Sequence, residues 1–162
     1  MALNHKALVS YLTDHMAGSV TAGDLAERGA QNNNDGPIGE FYANLAEQID
    51  ADRRMLREIA DRVGAGPSPV KEAAAMAGER LSRLKMDHRL TSNPSLSLLL
   101  ELEMLYLGIQ GKNALWRTLQ TMAASETRLA EFDYNELRQR AERQLAAVDE
   151  QRLAAAVRAF GG

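Results

Sequence analysis

A chain of 162 residues with 45% hydrophobic residues, 25% charged residues and a formal charge of -3 has the size and balance of one soluble globular domain. The near-neutral charge excludes a global pull toward nucleic acid or an anionic membrane. The absence of cysteine excludes disulfides, thiolate nucleophiles and cysteine metal sites, and a cytoplasmic address is the expectation.

The first ten residues lack a sustained apolar run, so no secretory signal is expected. Alanine, leucine, glutamate and arginine dominate thereafter, and no segment alternates as a strand does, which predicts an all-α fold. A first helix is predicted over about 3–29, with Leu8, Leu12, Met16, Ala22 and Leu25 on its apolar side. The run from Gln31 to Gly36, with Asn32, Asn33, Asn34 and Asp35 in series, reads as a polar turn. Pro37 suits the first position of a second helix, over 37–63, which Gly64 and Gly66 stop. Ser68-Pro69 starts a shorter third helix over 68–88. Asn93-Pro94 repeats the signal for a fourth over 94–124. Asp133 and Glu136 resemble a capping arrangement that opens a fifth over 134–160. The apolar window from Leu96 to Ile109 contains Glu101 and Glu103 and is too short to span a membrane.

Polar residues fall on stripes that otherwise read as core. Glu101, Gly108 and Lys112 share a stripe with Leu98, Leu105 and Leu119. His15 interrupts the first helix's stripe, with Asp14 and Tyr11 beside it, and Asp52 interrupts the line Leu45–Ile49–Leu56–Ile59. A buried charge is tolerated when it is paired or coordinated. His15, Asp52, Glu101 and Lys112, with Asp14 and Tyr11, are therefore expected to form an internal polar network or a small-ligand pocket. Gly108 and Gly111 suggest close helix approach or room for a ligand, and Trp116 either walls that room or fills core.

Four helices of roughly 25 residues span about 35–40 Å and can lie side by side, with the shorter third carrying the chain back across them. In helix length and in this crossover the chain resembles the ferritin-like superfamily over most of its length, by architecture more than by motif. The resemblance implies a four-helix bundle with an additional shorter crossover helix. In di-metal members, two core helices each supply a carboxylate and the other two each supply a Glu-x-x-His pair. Here the corresponding stretches are Glu47-Gln48-Ile49-Asp50 and Glu142-Arg143-Gln144-Leu145, and neither holds histidine. The resemblance therefore implies the fold without the usual di-iron centre and without a cofactor.

The functional expectation is a non-enzymatic binding or interaction protein that forms a homo-oligomer, a dimer being one form. No nucleic-acid or membrane partner is expected, and a small-molecule ligand is left open. The alternative is a metal-dependent oxidoreductase or metal-storage protein whose ligands are His15, Asp52 and Glu101. Lys112 argues against a dense metal cage, because an ammonium repels the cations.

Overall fold

The computed structural model describes residues 3–34, 36–66, 68–87 and 93–161, without the side chains of 68–70, 80, 81 and 83–87. The fold is all-α: α1 (His5–Asn32), α2 (Pro37–Arg62), α3 (Ser68–Asp87), α4 (Pro94–Met122) and α5 (Tyr134–Phe160), with a short 3-10 turn at Thr127–Leu129. No strand occurs among the described residues, and no helix there is long and apolar enough to cross a membrane.

Local chemistry sets the boundaries. The Asn4 side chain accepts from the Ala7 amide at 3.1 Å, so α1 begins at His5. Asn93 accepts from Ser95 and Leu96 at 3.0 and 3.2 Å, and Asp133 accepts from Glu136 at 3.0 Å. Each satisfies amides that the first helical turn leaves without partners. Pro37 opens α2, and Gly64 ends it with φ +77, a left-handed conformation favoured by glycine.

α1 runs past Gly29 to Asn32, beyond the expected end at 29. Gly29 is a contact residue: a Cβ there would overlap the ring of Tyr42, which packs close against α1 at this point. The third helix was expected to reach His88; that residue lies outside the described residues.

Two hydrogen bonds fix which ends meet. His5 Nε2 lies 2.8 Å from the Val63 carbonyl, so the start of α1 sits at the end of α2. Arg128, in the turn between α4 and α5, donates to the same carbonyl at 3.0 Å. That turn is braced by Glu126, whose carboxyl the Arg128 hydrogen bonds hold down to about 2. α2 and α4 therefore finish at the same end of the molecule, where α1 and α5 begin. α1 packs on α2, α3 and α4, and α4 packs on α5, while α2 and α5 touch lightly. α3 seats Ala73 and Ala77 as buried residues. The core runs between these helices, with Leu12, Met16, Tyr42, Ile59, Leu102, Leu105, Trp116 and Leu119 fully enclosed.

Candidate functional site

At mid-height the core is interrupted by one carboxylate. Asp52 of α2 is 3% exposed, and its two oxygens are shared among three donors. Lys112 of α4 and Gln144 of α5 both donate to Oδ2, Gln144 at 3.1 Å, and Arg140 of α5 donates to Oδ1. Lys112 also donates to the Gln144 side-chain oxygen, which closes a ring of three side chains from three helices. A carboxylate in such a place survives because its lone pairs are filled and its charge is opposed. Burial pushes the Lys112 ammonium below its ordinary value, the Asp52 carboxylate pulls it back up, and the neighbouring Arg140 adds to the depression.

Gln144 and Arg140 were not among the residues singled out from the sequence. Gln144 occupies the stripe Leu137–Ala141–Gln144–Val148, so the test that found Asp52 would have found it. Arg140 sits one turn before Gln144 and is 28% exposed at its side chain, reaching inward from the flank of α5 along its aliphatic stem.

The other sequence-selected residues are distributed differently. Glu101 and Lys112 are eleven residues apart on α4, some 16 Å along the axis. Glu101 lies beside the Tyr42 hydroxyl near the other end of the bundle; burial, and then this carboxylate, push that hydroxyl well above its ordinary value. Tyr11 donates to Thr118 at 3.3 Å, and its ring meets His15 edge-on with centroids 4.6 Å apart. Asp14 is on the exposed side of α1. The six residues thus divide among the Asp52 cluster, the Tyr42–Glu101 contact and the outer flank of α1.

His15, Asp52 and Lys112 nevertheless share a boundary. A cavity of about 80 Å³ lies between α1, α2 and α4, and His15, Ile49, Asp52, Gly108, Lys112 and Trp116 are among its lining residues. Both glycines of α4 turn out not to be tight-crossing residues: a Cβ at Gly108 or Gly111 would meet nothing within 4 Å. Each costs roughly 1 kcal/mol relative to alanine without returning a backbone contact. Trp116 fills core and walls the cavity together. Its indole N–H is buried with no hydrogen-bond partner, an omission worth about 1–3 kcal/mol.

The chain matches no family model, no curated protein and no solved structure. The chemistry of the site therefore stands on its own donor set. Among the described residues, no three histidine, aspartate or glutamate side chains converge as metal ligands. The alternative ligand set is separated physically, because Glu101 sits with Tyr42 while Asp52 sits among Lys112, Arg140 and Gln144. A cation placed on Asp52 would have to displace an ammonium and a guanidinium, both of which repel it.

Proposed function

We propose that this chain is a ferritin-like bundle without a di-metal centre, and that it acts as a non-enzymatic interaction protein which self-associates. The shared ends of α2 and α4, with α3 between them in sequence, support a one-crossover arrangement of two helical hairpins. The interior charges are engaged with each other, which leaves the outer surface as the place of action.

The observation that carries self-association is the second apolar face of α4. Leu105 is buried in the core, and Leu107, two residues on and about 200° around the helix, is 69% exposed. Leu100, seven residues earlier, lies on the same outer side and is also exposed. On α5, Leu153, Val157 and Phe160 form an exposed stripe at four- and three-residue steps, with Val157 and Phe160 each 72% exposed. These residues fall toward the same end of the α4–α5 pair, since α4 starts where α5 finishes. A helix apolar on opposite faces is a helix with something on both sides. Arg152, paired with Asp149 at 2.8 Å and Glu103 at 3.7 Å, edges this surface with both signs of charge, which suits a self-complementary two-fold contact.

Sedimentation velocity tests the reading. The wild type is expected to sediment as a dimer or larger assembly at micromolar concentration, and Leu107→Glu combined with Val157→Glu as a monomer with unchanged helical circular dichroism. A wild type that stays monomeric at the highest soluble concentration contradicts it.

A further inference from the structure

α2 and α5 meet differently from the other antiparallel pairs. α1 packs along α2 and α4 packs along α5, whereas α2 and α5 touch lightly. The side chains that bridge them, Asp52, Arg140 and Gln144, are polar. Outside this bridge lies an open groove of about 450 Å³, between Phe41, Asn44 and Gln48 of α2 and Arg140, Arg143 and Ala147 of α5. All six can be reached from solvent: Asn44, Gln48, Arg143 and Ala147 are exposed, Phe41 is half-buried, and Arg140 is 28% exposed at its side chain. Both charged residues of the lining are arginines, and no carboxylate lines the groove.

The two guanidiniums are held in different ways. Arg140 donates through Nη2 to the buried Asp52, so it stands in place before any ligand arrives. Asp52 also faces Lys112, and one carboxylate thus answers two cations at the inner edge of the groove. Arg143 pairs with Glu136 at 3.0 Å, and both side chains are more than half exposed. An ion pair so placed contributes little, and an anion in the groove can take the place of Glu136 at small cost. Phe41 supplies a ring, packed edge-on against Tyr42 with centroids 5.7 Å apart. Ala147 is small where a longer side chain would fill the groove, and Asn44 and Gln48 add carboxamide donors.

We propose that this groove binds an aromatic monocarboxylate of one or two rings, its carboxylate paired with Arg143 beside Arg140 and its ring resting on Phe41. A guanidinium presents a planar fork that matches a carboxylate, and the charge-assisted pair is stronger than a neutral one. Ligand sites commonly enclose about 300–1,000 Å³, so a groove of about 450 Å³ takes a small member of that class. Because one side stays open, a Kd on the order of 0.1–1 mM is expected for a two-ring acid. None of Leu100, Leu107, Leu153, Val157 and Phe160 lines the groove, so the site does not depend on self-association through the α4–α5 face.

The test titrates 2-naphthoate into the full isotope-labelled chain at constant ionic strength and follows the backbone amide resonances. 2-Naphthamide serves as the uncharged probe and acetate as the anion without a ring. Saturable shifts are expected over residues 41–48 and 140–147, with both control probes about tenfold weaker or more. Arg143→Gln is expected to weaken 2-naphthoate about tenfold. Glu136→Gln removes the competing carboxylate and is expected to tighten binding roughly threefold, an effect that a merely structural role for the Arg143–Glu136 pair would not produce. Ala147→Leu is expected to abolish binding. All three positions are exposed, so helical circular dichroism and melting temperature are expected to stay near the wild type. The proposal fails if 2-naphthoate gives no saturable shifts or shifts residues elsewhere, or if either control probe binds as well. It also fails if Glu136→Gln leaves the affinity unchanged or lowers it, or if Ala147→Leu binds like the wild type.

Discussion

Asp52→Ala is expected to destabilise the fold by about 3–5 kcal/mol, the typical cost of stripping the partner from a buried charge. The substitution leaves Lys112 enclosed beside Arg140 with no anion, and leaves the Gln144 amide without its acceptor. Chemical denaturation reads the loss, and two further measurements separate charge from packing. Asp52→Leu combined with Lys112→Met is expected to recover part of it, because the buried ammonium leaves with its carboxylate and apolar groups of similar size fill the space, while Arg140, 28% exposed at its side chain, turns its guanidinium out to solvent. The pH dependence supplies the second signature. Lys112 in the fold sits below its ordinary value, so with rising pH it releases its proton in the native state before it does so unfolded. Over that window the unfolded chain binds more protons, and stability rises with pH. Removing Asp52, which pulls the ammonium's value up, widens the window, so the deficit of Asp52→Ala is expected to shrink in mildly alkaline buffer. A deficit that stays constant across that range, and a double variant no better than Asp52→Ala, would show that the carboxylate acts through its shape alone.

The second large effect is at Gly29. Alanine usually improves a helix interior, yet Gly29→Ala is expected to destabilise by roughly 1–3 kcal/mol, because the added methyl group overlaps the fully enclosed Tyr42 ring. Tyr42 has little room to retreat: it is fully enclosed and packs edge-on against Phe41. Gly29→Ala in a Tyr42→Leu background is therefore expected to cost much less, which a double-mutant cycle measures as coupling. Additive effects would place the glycine's contribution elsewhere.

The helix starts were legible in the sequence because each has a chemical mark. Pro37, Asn93 before Pro94, and Asp133 stand where helices open, and Gly64 stands where one closes. The end of α1 was expected at 29 and lies at Asn32, because the polar run that follows continues the helix for three residues before it turns. Asp52 and Lys112 were visible as charges on apolar stripes. Gln144 sits on such a stripe too, but an amide among alanines and leucines draws less notice than a charge. Arg140 was beyond periodicity, since its charged head arrives at the cluster from a backbone position on the flank. Glu101 and Lys112 share a face of α4 but stand some 16 Å apart along it, so each was expected to need its own partner on a neighbouring helix; which partner each finds, Tyr42 for one and Asp52 for the other, was not legible. Position along the bundle, set by which helix ends meet, was the missing coordinate.

Under the proposed function the charges around Asp52 pair with each other and the bundle holds no metal. Elemental analysis of protein grown with added iron and manganese, and purified without a chelating tag, tests this most directly. Metal far below one equivalent per chain is the expected result. About two equivalents, lost on Glu101→Ala, would contradict it and restore the two-metal chemistry of ferritin-like carboxylate sites.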